Sequence, residues 1–270
     1  MRRSGNALEL LVASVLDSPK YRMVCEDFVR RVGTQELAKW PGPRQAVKAT
    51  KNKLHQVGGA YFEKQIDYDH WLDELKPAVT SGREELLGVA RQMMKLHAST
   101  RERLPDLEVF YALAFAGLPP IHSILDVACG LNPLAIPWMP VVPNVEYYAV
   151  DIYRDMIEFV NSFLALVGVR GSAVTGDVLG DYPMRKVDLA LVLKTIPCLE
   201  QVDKTAGAKL LESIQAKYVL VSFPVYSLGG RGGKGMTENY AERFYQLVAG
   251  RSWQVRKLEF PTELAFMVTK

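Results

Sequence analysis

Cysteine is scarce: three residues in 270, Cys25, Cys129 and Cys198, odd in number and far apart. That spacing argues against a disulfide framework and favours a reducing compartment, so a cytoplasmic protein is expected. Long hydrophobic runs are also missing. None approaches the roughly 18 residues needed to cross a bilayer, and no membrane association is expected. The four histidines, His55, His70, His97 and His122, do not fall at zinc-ligand spacing with one another or with the cysteines, so no metal is expected. Two arginines open the chain, but Glu9 and Asp17 interrupt it and no small-residue cleavage site follows. These residues therefore read as a capped helix rather than a leader peptide. What is present is ordinary for a soluble globular protein: 49% hydrophobic and 23% charged residues, enough chain to bury a real core. There are no internal repeats, and nothing calls for more than a monomer.

Acidic residues are missing from one stretch in particular. Residues 37–62 carry Lys39, Arg44, Lys48, Lys51 and Lys53 without a single Asp or Glu. Across residues 1–97 there are 16 Lys and Arg against 12 Asp and Glu, whereas residues 98–270 hold 17 against 18. A basic patch confined to one part of a chain fits a polyanionic partner, or else a solvated surface. Residues 1–97 read as helical. Apolar residues at 7, 8, 11, 12, 15 and 16 form one stripe, with further short helices over 25–32 and 45–54. Trp40-Pro41-Gly42-Pro43 breaks the chain between them. Ser81 is expected to cap a helix reaching Leu96, with Glu84 completing a capping box.

Strand patterns begin at residue 121. Strands are predicted over 121–127, 145–151, 172–178, 187–193 and 216–223. Residues 255–260 and 264–269 read as a closing antiparallel hairpin. VDLALVL and YVLVSF are continuous apolar runs, as a parallel strand covered on both faces requires. The expectation is an α/β fold: a seven-stranded, mostly parallel, doubly wound sheet behind a smaller all-helical N-terminal domain. The division is set at 1–97 and 98–270.

Residues 121–134, IHSILDVACGLNPL, deliver a strand into a tight turn. A dinucleotide site would place G-x-G-x-x-G there, to seat a pyrophosphate on a helix N-terminus. This turn has one glycine, Gly130, and Pro133 removes an amide donor. S-adenosylmethionine carries no phosphate and needs only close backbone approach, so it suits the turn better. A second strand ends in Asp151, near the spacing expected for an acid that grips a ribose.

Several segments in order carry a resemblance: HASTRERL at 97–104, ILDVACGLNPL, Ser222-Phe223-Pro224, Ser227-Leu228-Gly229-Gly230-Arg231, and Thr262-Glu263-Leu264. With Lys53-Leu54-His55 and Gly59-Ala60-Tyr61, they resemble the aminoglycoside-resistance 16S ribosomal RNA methyltransferases that act on guanine N7 in the decoding A site. The resemblance implies a class I methyltransferase domain of Rossmann-like fold, S-adenosyl-L-methionine as cofactor, and 16S rRNA within the 30S subunit as partner. It assigns the methionine carboxylate to Arg103 and the amino-acid end of the cofactor to Ala128 and Gly130. The ribose hydroxyls fall to Asp151, and the adenine to Asp177 and Val178.

Lys194 and Glu263 resemble residues of the reaction centre. Glu263 is expected to accept from guanine N1–H and the 2-amino group, with Lys194 donating to O6; a salt bridge between the two is the rival expectation. Guanine N7 already presents a lone pair, so methyl transfer needs no general base, only positioning and desolvation. Lys48, Lys51, Lys53 and His55 are expected on the rRNA backbone, and Arg231 and Lys234 in a glycine-rich loop over the substrate. Two other readings stay open: a methyltransferase for another RNA base or a small molecule, and an RNA-binding factor without turnover.

Overall fold

The computed structural model describes residues 2–180, 185–226 and 234–270, and the side chains of residues 2–5 and 234 lie outside that description. Arg231 is therefore outside the described residues, and of Lys234 only the backbone is described. The N-terminal part is helical as expected: α1 (Arg2–Leu16), α2 (Glu26–Lys39), α3 (Pro43–Val57), α4 (Tyr68–Ser81) and α5 (Arg83–Met94). Pro43 starts α3 at a position where its missing N–H costs nothing. The Ser81 capping box does not form. Ser81 ends α4, and Gly82, at φ 121°, separates the two helices and caps α5 without a side-chain bond. A glycine reaches that backbone angle freely, and this is what allows the chain to break one residue later than expected.

Two short helices follow, α6 (Ala98–Arg103) and α7 (Leu107–Phe115), and then the sheet. Its strands are β1 (Ser123–Val127), β2 (Glu146–Asp151), β3 (Arg170–Thr175), β4 (Val187–Leu193), β5 (Ala216–Pro224), β6 (Gln254–Glu259) and β7 (Glu263–Thr269). Between them lie α8 (Arg154–Leu166), α9 (Ile196–Leu199), α10 (Ala206–Ser213) and α11 (Lys234–Val248). The order across the sheet is β3-β2-β1-β4-β5-β7-β6. β3 through β5 pair in parallel, and β7 runs antiparallel to both β5 and β6. The expected third strand stops at Thr175, so Asp177 lies on the loop beyond it.

Side chains alternate across the sheet as a period-two strand requires. Ile124, Tyr147, Leu189 and Leu191 face one apolar layer, and Leu125, Val150, Ala190 and Val192 face the other. α7 and α8 cover the first face; α10 and α11 cover the second. Ile66 before α4, Leu75 within it, and Ala90, Met93 and Met94 of α5 join the first layer. A separate cluster belongs to α1–α3, built on Val15, Phe28, Val32 and Leu54. The expected boundary after residue 97 thus falls where the apolar core is continuous. The break in the core comes after α3.

Candidate active site

β1 delivers the chain to a turn in which Ala128 (φ 53°) and Gly130 (φ 51°) are both left-handed. Two bonds from its backbone N–H groups hold it: Cys129 N–H donates to the Val150 carbonyl at 3.1 Å, and Gly130 N–H to the side-chain Oδ2 of Asp151 at 3.0 Å. A Cβ on Gly130 would lie 2.8 Å from the His97 ring, so both the backbone angle and the space require glycine here. Pro133 follows at the start of a 3-10 segment, Asn132–Trp138, which leaves a poor cradle for phosphate.

The carboxyl ends of β1 to β4 open onto a cleft of about 730 Å³, at the point where the strand order reverses. Clefts at such switch points are where open α/β sheets bind ligands. Ala128, Gly130, Asp151, Asp177, Val178 and Lys194 all line it. Phe28 from α2, Val57 from the end of α3, and Tyr61 form the opposite wall. Asp151 is 8% exposed. Its Oδ1 accepts from Ile152 N–H at 2.6 Å and Tyr153 N–H at 3.4 Å, while Oδ2 accepts from Gly130. Burial raises its pKa, and those backbone donors work against the rise. Asp177 takes a bond from Arg31 Nε on α2 at 2.5 Å and another from Leu179 N–H at 2.9 Å.

Arg103 does not line the cleft. It is 1% exposed and lies behind it, with Nε 2.8 Å and Nη2 2.6 Å from the two oxygens of Glu263. Nη1 donates to Asn132 Oδ1 at 2.8 Å, and the guanidinium lies over the Phe110 ring at 4.7 Å. Asn132 in turn donates to Asp126 Oδ2 at 2.9 Å, and Tyr147 OH donates to the same oxygen. Burial lifts Asp126 to about 7, although those two donors and Arg103 oppose the shift. Glu263 is fully buried and also accepts from the Ser222 hydroxyl. Burial alone would raise its pKa; the Arg103 and Lys194 charges more than reverse that and leave it below the ordinary carboxylate value.

Lys194 is a non-glycine residue at φ 58°, with 2% of its side chain exposed. Its Nζ lies 2.7 Å from Glu102 Oε2, 3.4 Å from Ser99 O and 3.7 Å from Glu263 Oε2. The Lys194–Glu263 contact exists, but as the weaker arm of a network. The structure gives Glu263 no exposed oxygen for a guanine, and it commits two of the three Lys194 N–H groups, to Glu102 and Ser99. Arg31, Asn132, Ser222 and Glu102 are the site residues that sequence reasoning missed. Glu102, Asn132 and Ser222 stand inside the segments that carry the family resemblance, which was the available signal; Arg31 gave none.

His97 packs against Tyr61 (5.5 Å, stacked) and Phe62 (5.0 Å, edge-on) and is 8% exposed. Among the described residues its Nδ1 has no hydrogen-bond partner. Burial, aided by the charges of Lys194, Arg101 and Arg103, depresses its pKa from 6.5 to about 3. The unfolded chain therefore takes up this proton first as pH falls, and stability drains away from about pH 6.5 downward. Replacing His97 with Phe is expected to flatten the part of this loss between about pH 6.5 and 5, where ordinary carboxylates hardly titrate. Urea midpoints measured across that window, relative to pH 7, check it.

On α3, Lys48 and His55 are exposed and Lys51 is half-buried. At 100° per residue they share one face with Arg44, whereas Lys53 lies about 140° around the helix from Lys48. His55 Nδ1 lies 3.2 Å from Lys20 Nζ. The expected basic group is thus three residues on one face, with Lys53 on the other flank.

The strand order with its single reversed strand, the phosphate-free turn and the acids after β2 and β3 define a class I S-adenosylmethionine-dependent methyltransferase. A profile of the ribosomal RNA methyltransferase (FmrO) family matches residues 17–267, and the chain belongs to that family. The 16S rRNA (guanine(1405)-N(7))-methyltransferase of Micromonospora echinospora is 36% identical over 260 residues, covering 95% of this chain and 94% of that protein. The enzyme of the same name from Frankia casuarinae is 37% identical over 268 residues, covering 98% and 94%. The crystal structure of the 16S rRNA methyltransferase RmtF in complex with S-adenosyl-L-homocysteine superposes with a TM-score of 0.82. It is 31% identical, with 97% of this chain and 98% of that one covered.

Proposed function

We propose that this chain acts on the assembled 30S subunit in the cytoplasm, as a monomer, methylating a decoding-site guanine. It is an S-adenosylmethionine-dependent 16S rRNA (guanine-N7)-methyltransferase, and the modification gives aminoglycoside resistance. A methyl group and fixed positive charge at N7 remove an acceptor from the drug site and repel a polycationic drug. The observation that carries the RNA reading is an adjacency. The end of α3 walls the cofactor cleft, and the outer face of the same helix carries Lys48, Lys51 and His55.

The residues present fit the cofactor. Gly130 lets its backbone approach closely, and Asp151 faces the ribose hydroxyls. Its Oδ2 takes one backbone donor and keeps a lone pair. On Oδ1 the Tyr153 N–H, at 3.4 Å, is the long contact that a second hydroxyl replaces. Asp177 and Val178 receive the adenine, with Arg31 fixing the carboxylate. Arg103 has five N–H donors; three serve Glu263 and Asn132, and we assign the remainder to the methionine carboxylate. When bound, S-adenosylmethionine supplies a sulfonium-activated methyl group. Glu263 acts from behind the reacting atoms, setting the positions of Arg103 and Ser222, and Lys194, on the wall of the cleft, sets that of Glu102. Arg231 and Lys234 are assigned to phosphates near the target.

Lys48 and Lys51 contribute affinity through counterion release. The double variant Lys48→Ala/Lys51→Ala is expected to lower the magnitude of the log–log salt slope of 30S binding by about 1.5–2, whereas Lys53→Ala changes it by less than about 0.5. Filter binding between low and moderate salt measures this. The function itself is tested by incubating the chain and labelled cofactor with 30S particles or naked 16S rRNA and mapping the product. One methylated guanine in 30S particles, with little labelling of naked RNA, is expected. Preferential labelling of naked RNA contradicts the 30S reading.

A further inference from the structure

Tyr61, Lys194 and Cys198 belong to two clefts at once. One face of this wall lines the cofactor cleft; the other lines a second opening of about 960 Å³ that reaches Tyr226 and Tyr240. Tyr240 is stacked on Phe223 at 5.0 Å, which fixes its ring, and Tyr226 leaves 45% of a large aromatic surface exposed. Among the described residues, Glu102 is the one carboxylate lining this second cleft, and it does not line the first. Its side chain is 27% exposed. Oε2 is held by Lys194 Nζ at 2.7 Å, whereas Oε1 has no hydrogen-bond partner among the described residues.

We propose that the second cleft seats the flipped target guanine and that Glu102, through Oε1, reads its Watson–Crick edge. The proposal rests on the methyltransferase reading above and names the specificity residue of that site. A base must leave its stack before its ring atoms can be reached, and an extruded purine needs flat walls and an edge reader. Guanine presents two adjacent donors there, N1–H and the 2-amino group. A carboxylate offers only acceptors and so matches them. Adenine places an unprotonated N1 at the same point, and its lone pair would face the carboxylate. N7 lies on the opposite edge of the purine, which this contact leaves open. Lys194 anchors the carboxylate through the 2.7 Å bond to Oε2, and a second of its N–H groups goes to Ser99 O. Glu263 cannot take this role while both its oxygens serve Arg103 and Ser222.

The test uses 30S subunits reconstituted with guanosine or inosine at the target position, since inosine keeps N1–H and N7 but lacks the 2-amino group. Wild-type kcat/KM is expected to favour guanosine by about tenfold or more. In Glu102→Gln, kcat/KM on guanosine subunits should fall about ten- to a hundredfold, and the preference over inosine should shrink below about threefold. S-adenosylhomocysteine affinity by calorimetry should stay within about twofold, because Glu102 lies outside the cofactor cleft. A slower variant with the wild-type preference, or an unchanged rate, overturns the proposal while leaving the methyltransferase reading intact. Guanosine subunits left unmethylated by the wild-type chain overturn both. Tyr226→Ala probes the same cleft from its exposed rim. Loss of a stacking face should lower kcat/KM about fivefold to a hundredfold with cofactor affinity unchanged, and an unaltered rate counts against the cleft.

Discussion

Glu263→Ala is expected to lower the free energy of unfolding by about 3–5 kcal/mol, because it strands a buried cation. Arg103 is 1% exposed and would keep only Asn132 and the Phe110 ring. Lys194, 2% exposed, would lose a second carboxylate, and the Ser222 hydroxyl its acceptor. The Arg103 and Glu263 side chains are each 1% exposed, so the cost is one of desolvated charge rather than of a lost surface pair. Urea denaturation of the purified variant gives the number. A loss under about 1 kcal/mol would mean that the pair is as weakly coupled as a surface salt bridge. The double replacement Arg103→Met with Glu263→Leu removes both charges, and it is expected to be more stable than Glu263→Ala alone. Sheet register explains why Glu263 is so placed: it opens β7 opposite Pro224, two residues beyond the Ser222 that hydrogen-bonds to it.

Asp151→Asn is expected to weaken S-adenosylhomocysteine binding about a hundredfold or more, from the loss of two charge-assisted bonds to ribose hydroxyls. The effect has two parts. Each carboxylate oxygen accepts a backbone N–H, from Ile152 on one side and Gly130 on the other. An amide must therefore turn its NH2 toward one of those donors, loosening either the end of β2 or the Gly130 turn. The remaining oxygen then serves the ribose with one acceptor instead of two. Calorimetric titration checks the affinity, and circular dichroism checks that the fold persists. Affinity within about threefold of wild type would remove Asp151 from the cofactor site, since the loss of even one charged bond is worth more than that.

The skeleton of this fold was legible because strands announce themselves locally. VDLALVL is apolar throughout because β4 is covered on both faces, and the acid that ends β2 stands next to the Gly130 turn for reasons of pleat and twist. The cofactor cleft followed from those strand ends. What stayed hidden are relations over distance. Arg103 and Glu263 are 160 residues apart, and Arg31 and Asp177 146; each reads in sequence as an ordinary charged residue. Their meaning arises only when burial removes water from one partner or both. Glu102 lay within a segment singled out by resemblance, but on a short helix nothing local distinguishes a base-reading carboxylate from a solvated one. The helical pattern of α5 was clear enough, whereas α4 (Tyr68–Ser81) was not singled out within the helical N-terminal part. That their apolar faces complete the sheet's own core, while α1–α3 keep a separate one, was beyond local periodicity.

The most direct measurement of the central claim is a crystal structure of the chain grown with S-adenosylhomocysteine. The account predicts ribose hydroxyls on Asp151, the adenine amino group at Asp177, and the amino-acid end beside Gly130, with the sulfur facing the wall of Tyr61, Lys194 and Cys198 that the two clefts share. A nucleoside bound elsewhere, or a cleft closed by its own side chains, would contradict it.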